Sequence, residues 1–214
     1  MINLLLAIIY LSFISLGLPD SLLGAAWPIL HGQLDVPISY MGMVTMTISL
    51  STITASLFSE RLTKTFGTWK VTTVSIFLTA VALVGFSTSS RFWMLILWAI
   101  PYGLGGGAID AALNNYVAIH YNSRQMSWLH CFWGVGTILS PYIMGYCLTN
   151  ASYQTGYQSV AALQAVIGVL LLCSFPLWRT SQKQADTQKE EKILGIRGVL
   201  RIKGAKLWLF GFLY

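Results

Sequence analysis

Charged residues are scarce in this sequence. They make up 9% of its 214 residues, whereas hydrophobic residues make up 55%. A soluble domain carries about 25% charged residues. With so few charges, a water-soluble surface cannot be covered, and the composition therefore predicts that the lipid bilayer is the main solvent and partner of the chain.

Cysteine is also scarce, and enzyme motifs are lacking. The three cysteines fall inside apolar stretches and match no metal-site spacing, so we expect no structural disulfide and no metal. Residues 103–107, Gly-Leu-Gly-Gly-Gly, are not a phosphate loop because no Lys-Ser/Thr follows and the surrounding stretch is apolar. We expect these glycines to let helices or a ligand approach closely. No catalytic residue and no cofactor is predicted, and we do not expect an enzyme.

Six apolar stretches are long enough to cross a bilayer, which takes roughly 20 helical residues. They are Leu4–Leu30, Ile38–Phe58, Val71–Ser87, Phe92–Ala118, Ser127–Cys147 and Gly156–Trp178. The sequence therefore predicts an all-α membrane protein, with an N-terminal six-helix transmembrane bundle over residues 1–178. A charged loop follows at 179–206, and a seventh helix begins at 207–214.

The basic residues are distributed very unevenly between the predicted loops. Twelve lie on one side: Arg61, Lys64, Lys70, Arg124, Arg179, Lys183, Lys189, Lys192, Arg197, Arg201, Lys203 and Lys206. The loops on the other side hold only Arg91. Because basic loops stay in the cytoplasm, we expect a cytoplasmic N-terminus and a cytoplasmic 179–206 loop in a bacterial plasma membrane. This topology also accounts for the net charge of +6, so no nucleic acid partner is expected.

Two carboxylates, Asp20 and Asp110, lie inside the first and fourth predicted spans. A charge near the bilayer centre costs about 2.5–3.5 kcal/mol on insertion scales. Such a residue faces a cavity, pairs with another group or binds a proton. The alternative is a carboxylate that only bonds a neighbouring helix.

The positions of the two acids suggest a common site. Spans 1 and 4 each begin a three-helix unit, and inverted three-helix repeats place such helices at equivalent positions around a central cavity. Pro19 precedes Asp20, and Pro101 with its glycine run precedes Asp110, so both helices are interrupted. We therefore predict that the two acids load and release a coupling proton, since desolvation disfavours the ionised carboxylate.

Five further side chains are candidates for substrate binding. Asn114 lies four residues after Asp110 on the same helix face, and His130 shares a face with Trp133. His130 is either a ligand donor or proton relay, or a neutral histidine bonded to a backbone carbonyl. Trp98 and Tyr102 can stack on a sugar ring, although both residue types also anchor helices at the membrane interface. The hydroxyl-rich second span is expected to serve helix packing more than binding.

Two segments resemble a known family of carriers. Residues 17–23, Gly-Leu-Pro-Asp-Ser-Leu-Leu, and residues 103–114, which end in Asp-Ala-Ala-Leu-Asn, are similar to helices one and four of the major facilitator superfamily. Within that superfamily, the two segments resemble those of the fucose-permease-like sugar–proton symporters. The resemblance covers the whole chain and implies half of a 12-helix fold, with Asp20 and Asp110 linked to proton coupling and Asn114 at the family's asparagine.

This sequence differs from the family pattern at two places, and the family's residue roles at those places are not carried over to this chain. The sugar-contacting Gln and Asn of helix five would align with His130 and Trp133, which puts fucose itself in doubt. Residues 60–70 keep only Gly67 and Lys70 of the signature between helices two and three, so the gating role of the loop acid is not transferred.

The expected function is secondary active transport of a small polar solute, namely a sugar coupled to protons, by alternating access. Family carriers have two six-helix halves, so we expect a truncated chain or one that pairs with a missing C-terminal half. One alternative is a self-contained six-helix channel or scaffold that acts as a homo-oligomer. An intramembrane aspartyl protease is disfavoured because neither a Tyr-Asp nor a Gly-x-Gly-Asp motif is present.

Overall fold

The computed structural model describes residues 4–178, which form a bundle of α-helices without a strand in that range. The predicted loop at 179–206 and the predicted seventh helix at 207–214 lie outside the described residues.

Six helices of the bundle are long and apolar enough to cross a membrane. We number them spans 1 to 6: Leu4–Gln33, Ile38–Phe66, Thr68–Thr88, Phe92–His120, Ser123–Asn150 and Tyr153–Cys173. All six predicted spans are confirmed, with ends shifted by several residues. Span 1 consists of two α-helices, Leu4–Asp20 and Leu22–Gln33, and span 2 opens with a 3₁₀ turn at Ile38–Tyr40 before the α-helix Met41–Phe66.

Span 2 is longer than its hydropathy predicts. The helix runs through Arg61 and Lys64 to Phe66, so these basic residues lie on its last two turns and not in a loop. Lys64 forms an i,i+4 ion pair with Glu60 (2.7 Å) that supports this extension. The helix ends at Gly67, whose φ of 84° is the left-handed conformation that glycine adopts without strain.

The six spans form two inverted repeats of three helices. Spans 1–3 and spans 4–6 each cross the bundle an odd number of times, so the second unit runs opposite to the first. Span 1 packs against span 5, span 4 packs against span 2, and span 3 packs against span 6. Exchanging the two units converts the first of these pairs into the second and leaves the third unchanged, as expected for an inverted repeat.

Glycines bring the backbones of paired spans together. A Cβ at Gly17 or Gly136 would collide with the backbone of the facing helix in the pair of spans 1 and 5. A Cβ at Gly103 or Gly107 would collide with span 2 in the same way. The expectation that the glycines of 103–107 let helices approach closely is confirmed at Gly103, Gly105 and Gly107, whereas Gly106 has only Leu16 nearby. Asp20 follows Gly17 by three residues, and Asp110 follows Gly107 by three residues. Each acid therefore lies at the equivalent position relative to the helix crossing of its span.

The apolar core of the described residues falls into three clusters, and the two largest lie at opposite ends of the bundle. One includes Ile9, Tyr116 and Trp178 at the end of the bundle where span 1 begins, which we call the N-terminal end. The other includes Leu30 and Tyr153 at the opposite end, which we call the distal end. Neither cluster contains Asp20 or Asp110.

Candidate functional site

The break in span 1 positions Asp20. Pro19 has no backbone N–H, so it leaves the carbonyl of Ser15 without its usual i→i−4 partner. The buried side chain of Gln164 in span 6 replaces that partner, because its Nε2 donates to the Ser15 oxygen at 2.9 Å. The first helix then ends at Asp20, whose side chain emerges where the two helices of span 1 meet at Ser21.

Both carboxylate oxygens of Asp20 accept a hydrogen bond from the second repeat. The Tyr102 hydroxyl in span 4 donates to Oδ1 at 2.9 Å. The Trp133 indole Nε1–H in span 5 donates to Oδ2 at 3.0 Å. The carboxylate therefore ties span 1 to two spans of the other repeat. The sequence predicted all three residues as site residues but not their connection to one another.

Asp110 has a separate set of neighbours. Nδ2 of Asn114, one turn later in span 4, donates to its Oδ1 at 2.9 Å. His130 of span 5 is close enough to interact with the Asp110 charge, and its ring meets Phe13 edge-on with centroids 6.1 Å apart. Each aspartate is thus held by its own donors, in contrast to a protease dyad in which two carboxyls share one proton.

The two acids line the same cavity. This inner cavity has a volume of about 320 Å³ and lies between spans 1, 2, 4 and 5. Its wall is formed by Leu16, Asp20, Ile48, Thr52, Tyr102, Gly106, Asp110, His130 and Trp133. Five of the seven predicted site residues therefore meet in one space, and Asn114 adjoins it through its bond to Asp110.

Trp98 is the predicted site residue that the structure places elsewhere. Its indole packs over Gly85 of span 3, which has no side chain in the way, and joins the distal core cluster. Trp98 was a candidate because its ring can stack on a sugar. Tyr102 turns toward Asp20, whereas Trp98 is covered by span 3 and lines neither cavity.

A second cavity, which the sequence did not predict, lies on the distal side of Asp20. This outer cavity has a volume of about 580 Å³. Its wall comprises Pro19, Asp20, Ser21, Leu23, Gly24, Ala25, Met41, Thr45, Ile48, Ser49, Leu83, Phe86, Tyr102, Pro141 and Tyr157. Tyr157 gave no sequence signal, since a tyrosine in an apolar span is common and carries no insertion penalty like that of an acid.

The hydroxyls of span 2 serve both packing and the cavities. Thr52 and Ser56 donate to the carbonyls of Gly103 and Gly107 at the crossing with span 4, at 3.2 and 3.4 Å. Thr45 and Ser49 line the outer cavity. Thr52 and Ser56 therefore serve helix packing where spans 2 and 4 cross, as expected. Thr45 and Ser49 belong instead to the wall of the outer cavity.

Neither cavity is lined by lysine or arginine among the described residues, and the titratable groups in their walls are Asp20, Asp110, His130, Tyr102 and Tyr157. An acid-lined cavity between inverted repeats of spanning helices is the arrangement of a secondary transporter.

The sequence profile of the Major Facilitator Superfamily matches residues 9–214. The chain belongs to this superfamily and is therefore a multi-pass membrane transporter, in a family of transporters and not of enzymes. A comparison with curated proteins finds no match.

Proposed function

We propose that this chain carries a small uncharged polar solute, a sugar, together with protons by alternating access. The observation that most supports this proposal is the inner cavity, into which Asp20 and Asp110 both project from equivalent positions of the two repeats. An intramembrane acid that faces a cavity is the group that proton-coupled carriers use for loading and release.

The wall of the inner cavity suits a neutral hydroxylated ligand. Asp20 and Asp110 accept hydrogen bonds, His130 can donate or accept, and the Trp133 ring offers a surface on which a sugar ring can stack. None of the lysines and arginines within residues 4–178 lines the space to balance a ligand anion, so sugar phosphates and carboxylates are disfavoured. Asn114 orients Asp110 and contributes its own amide beside the cavity.

Asp20 and Asp110 have different roles in this scheme. Asp20 links span 1 to spans 4 and 5, so its proton state affects contacts between the repeats. Asp110 and His130 line the inner cavity together, and in this scheme the histidine passes the proton on toward the N-terminal end. Release of the proton on that side completes uptake if the N-terminal end faces the cytoplasm.

A second six-helix half completes the carrier in this proposal. Spans 2 and 5 present wide apolar faces, with Met46 and Leu50 66% and 63% exposed and Tyr142 and Tyr146 75% and 71% exposed. Such faces suit either lipid or the helices of a partner half. Alternating access by rocking of two halves uses the latter.

The test is uptake into proteoliposomes by the full-length protein, with an imposed pH gradient and a panel of radiolabelled sugars. Asp20→Asn and Asp110→Asn should each reduce pH-driven accumulation to the background of empty liposomes, because an amide cannot bind the coupling proton. Asp35→Asn is the matched control. Asp35 lies in the link between spans 1 and 2 with a φ of 53°, a conformation that asparagine also adopts readily.

Sugar–proton symport would be refuted if both cavity variants accumulated sugar as the control does. Failure of every sugar in the panel, with the protein folded and reconstituted, would refute the substrate class.

A further inference from the structure

We propose that the outer cavity is a second ligand site, which binds the same neutral, ring-shaped, hydroxylated solute on the distal side of Asp20. The inference rests on the proposed function and adds to it a second occupied position along the path. The solute would occupy the outer site and the inner site at different stages of transport.

The two cavities are adjacent but distinct. They share Asp20, Tyr102 and Ile48 as common wall residues, whereas all their other lining residues differ. The outer cavity is built from the distal parts of the spans and the inner cavity from positions nearer the N-terminal end. The Asp20 carboxylate and the Tyr102 hydroxyl that is bonded to it form the partition.

The wall of the outer cavity combines hydroxyl groups with aromatic rings. Phe86 and Tyr157 pack against each other there, with ring centroids 5.7 Å apart and planes inclined at 32°. Both rings are nearly buried, 3% and 1% exposed, so the wall offers hydrogen-bonding groups more than a stacking face. Ser21 and Ser49 add hydroxyls, and Asp20 adds the one carboxylate. The volume of about 580 Å³ lies within the range of small-molecule sites.

Tyr157 is the observation that points to a missing ligand. The residue is 1% exposed, and its hydroxyl is buried without a hydrogen-bond partner in the structure. A buried hydroxyl of this kind is unfavourable unless another group supplies the partner. A hydroxyl oxygen of a solute in the outer cavity is such a partner, and Tyr157 is therefore the residue that we assign to anchoring it.

The shared partition gives the second site a function in coupling. Asp20 contacts both spaces, so a solute in either site lies next to the same carboxyl group. A solute that passes from the outer to the inner site must cross the contact between Asp20 and Tyr102. Movement between the sites is thus tied to the group that we propose to carry the proton.

Protection from cysteine labelling can separate occupancy of the two sites. Gly24 lines the outer cavity and Gly106 lines the inner one. An added Cβ has ordinary clearance at both, with its nearest neighbours 3.7 Å away at Met41 and 3.8 Å away at Leu16. Gly24→Cys and Gly106→Cys are made singly in the full-length protein, with Cys131, Cys147, Cys173 and every other cysteine replaced by alanine. Maleimide labelling rates are measured with and without the best-transported sugar of the uptake panel.

We expect that sugar to slow labelling severalfold at both positions. Tyr157→Phe should then remove protection at Gly24→Cys and retain it at Gly106→Cys, because only the outer anchor is lost. Tyr153→Phe is the control, since Tyr153 lies one turn earlier on span 6, is also buried and lines neither cavity. If Tyr157→Phe does not fold, Ser49→Ala tests the same wall with the same expectation.

Protection at Gly106→Cys alone would overturn the second site while leaving the proposed function intact. Protection at Gly24→Cys that survives the change at Tyr157 would overturn its assignment as the anchor. If no sugar of the panel is taken up or protects either position, the proposed function fails and the second site fails with it.

Discussion

The two hydrogen bonds that Asp20 accepts respond differently to protonation of the carboxylate. Trp133 carries an indole N–H that can only donate, whereas the Tyr102 hydroxyl can donate or accept. A proton on Oδ2 would therefore displace Trp133, while a proton on Oδ1 needs only a rotation of the Tyr102 hydroxyl. If Asp20 carries the proton as proposed, Oδ1 is the oxygen that takes it, because both partners then stay in place.

A double-mutant cycle measures how strongly these donors hold the carboxylate. Trp133→Phe and Tyr102→Phe should each lower the free energy of unfolding by about 1.5–3 kcal/mol, the usual contribution of a hydrogen bond to a charged group. In an Asp20→Ala background the same changes should have little effect, since the acceptor is gone. Unfolding by SDS titration in mixed micelles gives the values. Equal losses in both backgrounds would show that the two rings act through packing alone.

At the residue scale, the sequence revealed those residues whose insertion into a membrane costs free energy. A carboxylate in an apolar span is costly enough to need a purpose, so Asp20 and Asp110 were identified without a structure. Tyr157 carries no such cost. It stands out only in the structure, because among the described residues that line the outer cavity its hydroxyl alone is buried without a partner. Trp98 was chosen for its indole ring, and residue type does not reveal that span 3 covers that ring.

At the scale of the helix, Pro19 and Gln164 act as a unit. Proline removes the N–H that would bond the Ser15 carbonyl, and within a bilayer that carbonyl has no water to replace it. The Gln164 amide supplies the hydrogen bond from span 6 at 2.9 Å. The break that positions Asp20 thus depends on a side chain about 150 positions away in the sequence, which no local pattern reveals.

This dependence predicts a specific rescue. Gln164→Leu should destabilise the protein by about 1–3 kcal/mol, because it leaves the Ser15 carbonyl buried and unpaired. Pro19→Ala restores an N–H at position 19 that can bond the same carbonyl, so in that background the cost of Gln164→Leu should largely disappear. SDS titration of the two single variants and the double variant tests this. A double variant that loses the sum of the two single effects would mean that the residues act independently.

The glycine crossings give a second prediction at the helix scale. A Cβ at Gly107 would fall within 3 Å of the Thr52 Cα, whereas one at Gly106 has only Leu16 at 3.8 Å. Gly107→Ala should therefore lower the free energy of unfolding by about 1–3 kcal/mol through overpacking. Gly106→Ala, the neighbouring control, should be neutral or slightly stabilising because alanine favours a helix. Equal effects of the two changes in a thermal-shift assay would contradict a tight contact between spans 4 and 2 at Gly107.

The presence of each helix was easier to predict from the sequence than the residue at which it ends. Hydropathy located all six spans, since apolar length is the property that the bilayer itself selects. The end of span 2 was missed because residues 59–66 are polar enough to read as a loop. They contain no helix breaker before Gly67, so the helix continues beyond the apolar stretch.

At the scale of the whole molecule, the inverted repeat fixes where the two acids meet. Each repeat crosses the bundle an odd number of times, so two segments of opposite direction bring equivalent positions to one central cavity. The sequence indicated this symmetry, because an acid lies in the first span of each three-helix unit. The pairing of span 1 with span 5 and of span 4 with span 2 required the structure, because it depends on contacts far apart in the chain.

The distribution of basic residues predicts which ends of the cavities face the cytoplasm. In the topology predicted from the sequence, twelve of the 13 lysines and arginines fall on the side of the N-terminus and Arg91 alone falls on the other. With the N-terminus inside, the inner cavity lies toward the cytoplasm and the outer cavity toward the exterior. Ser90 and Asn122 are exposed in links at opposite ends of the bundle, so each reports one side.

Single cysteines at these two links test the orientation directly. In intact cells, a membrane-impermeant maleimide should label Ser90→Cys, and it should label Asn122→Cys only after the cells are permeabilised. The background is the full-length protein without other cysteines. The reverse pattern would place the outer cavity on the cytoplasmic side and turn the proposed order of the sites from uptake to export. Labelling of both positions in intact cells would mean that the chain inserts in two orientations, against a bias of twelve basic residues to one.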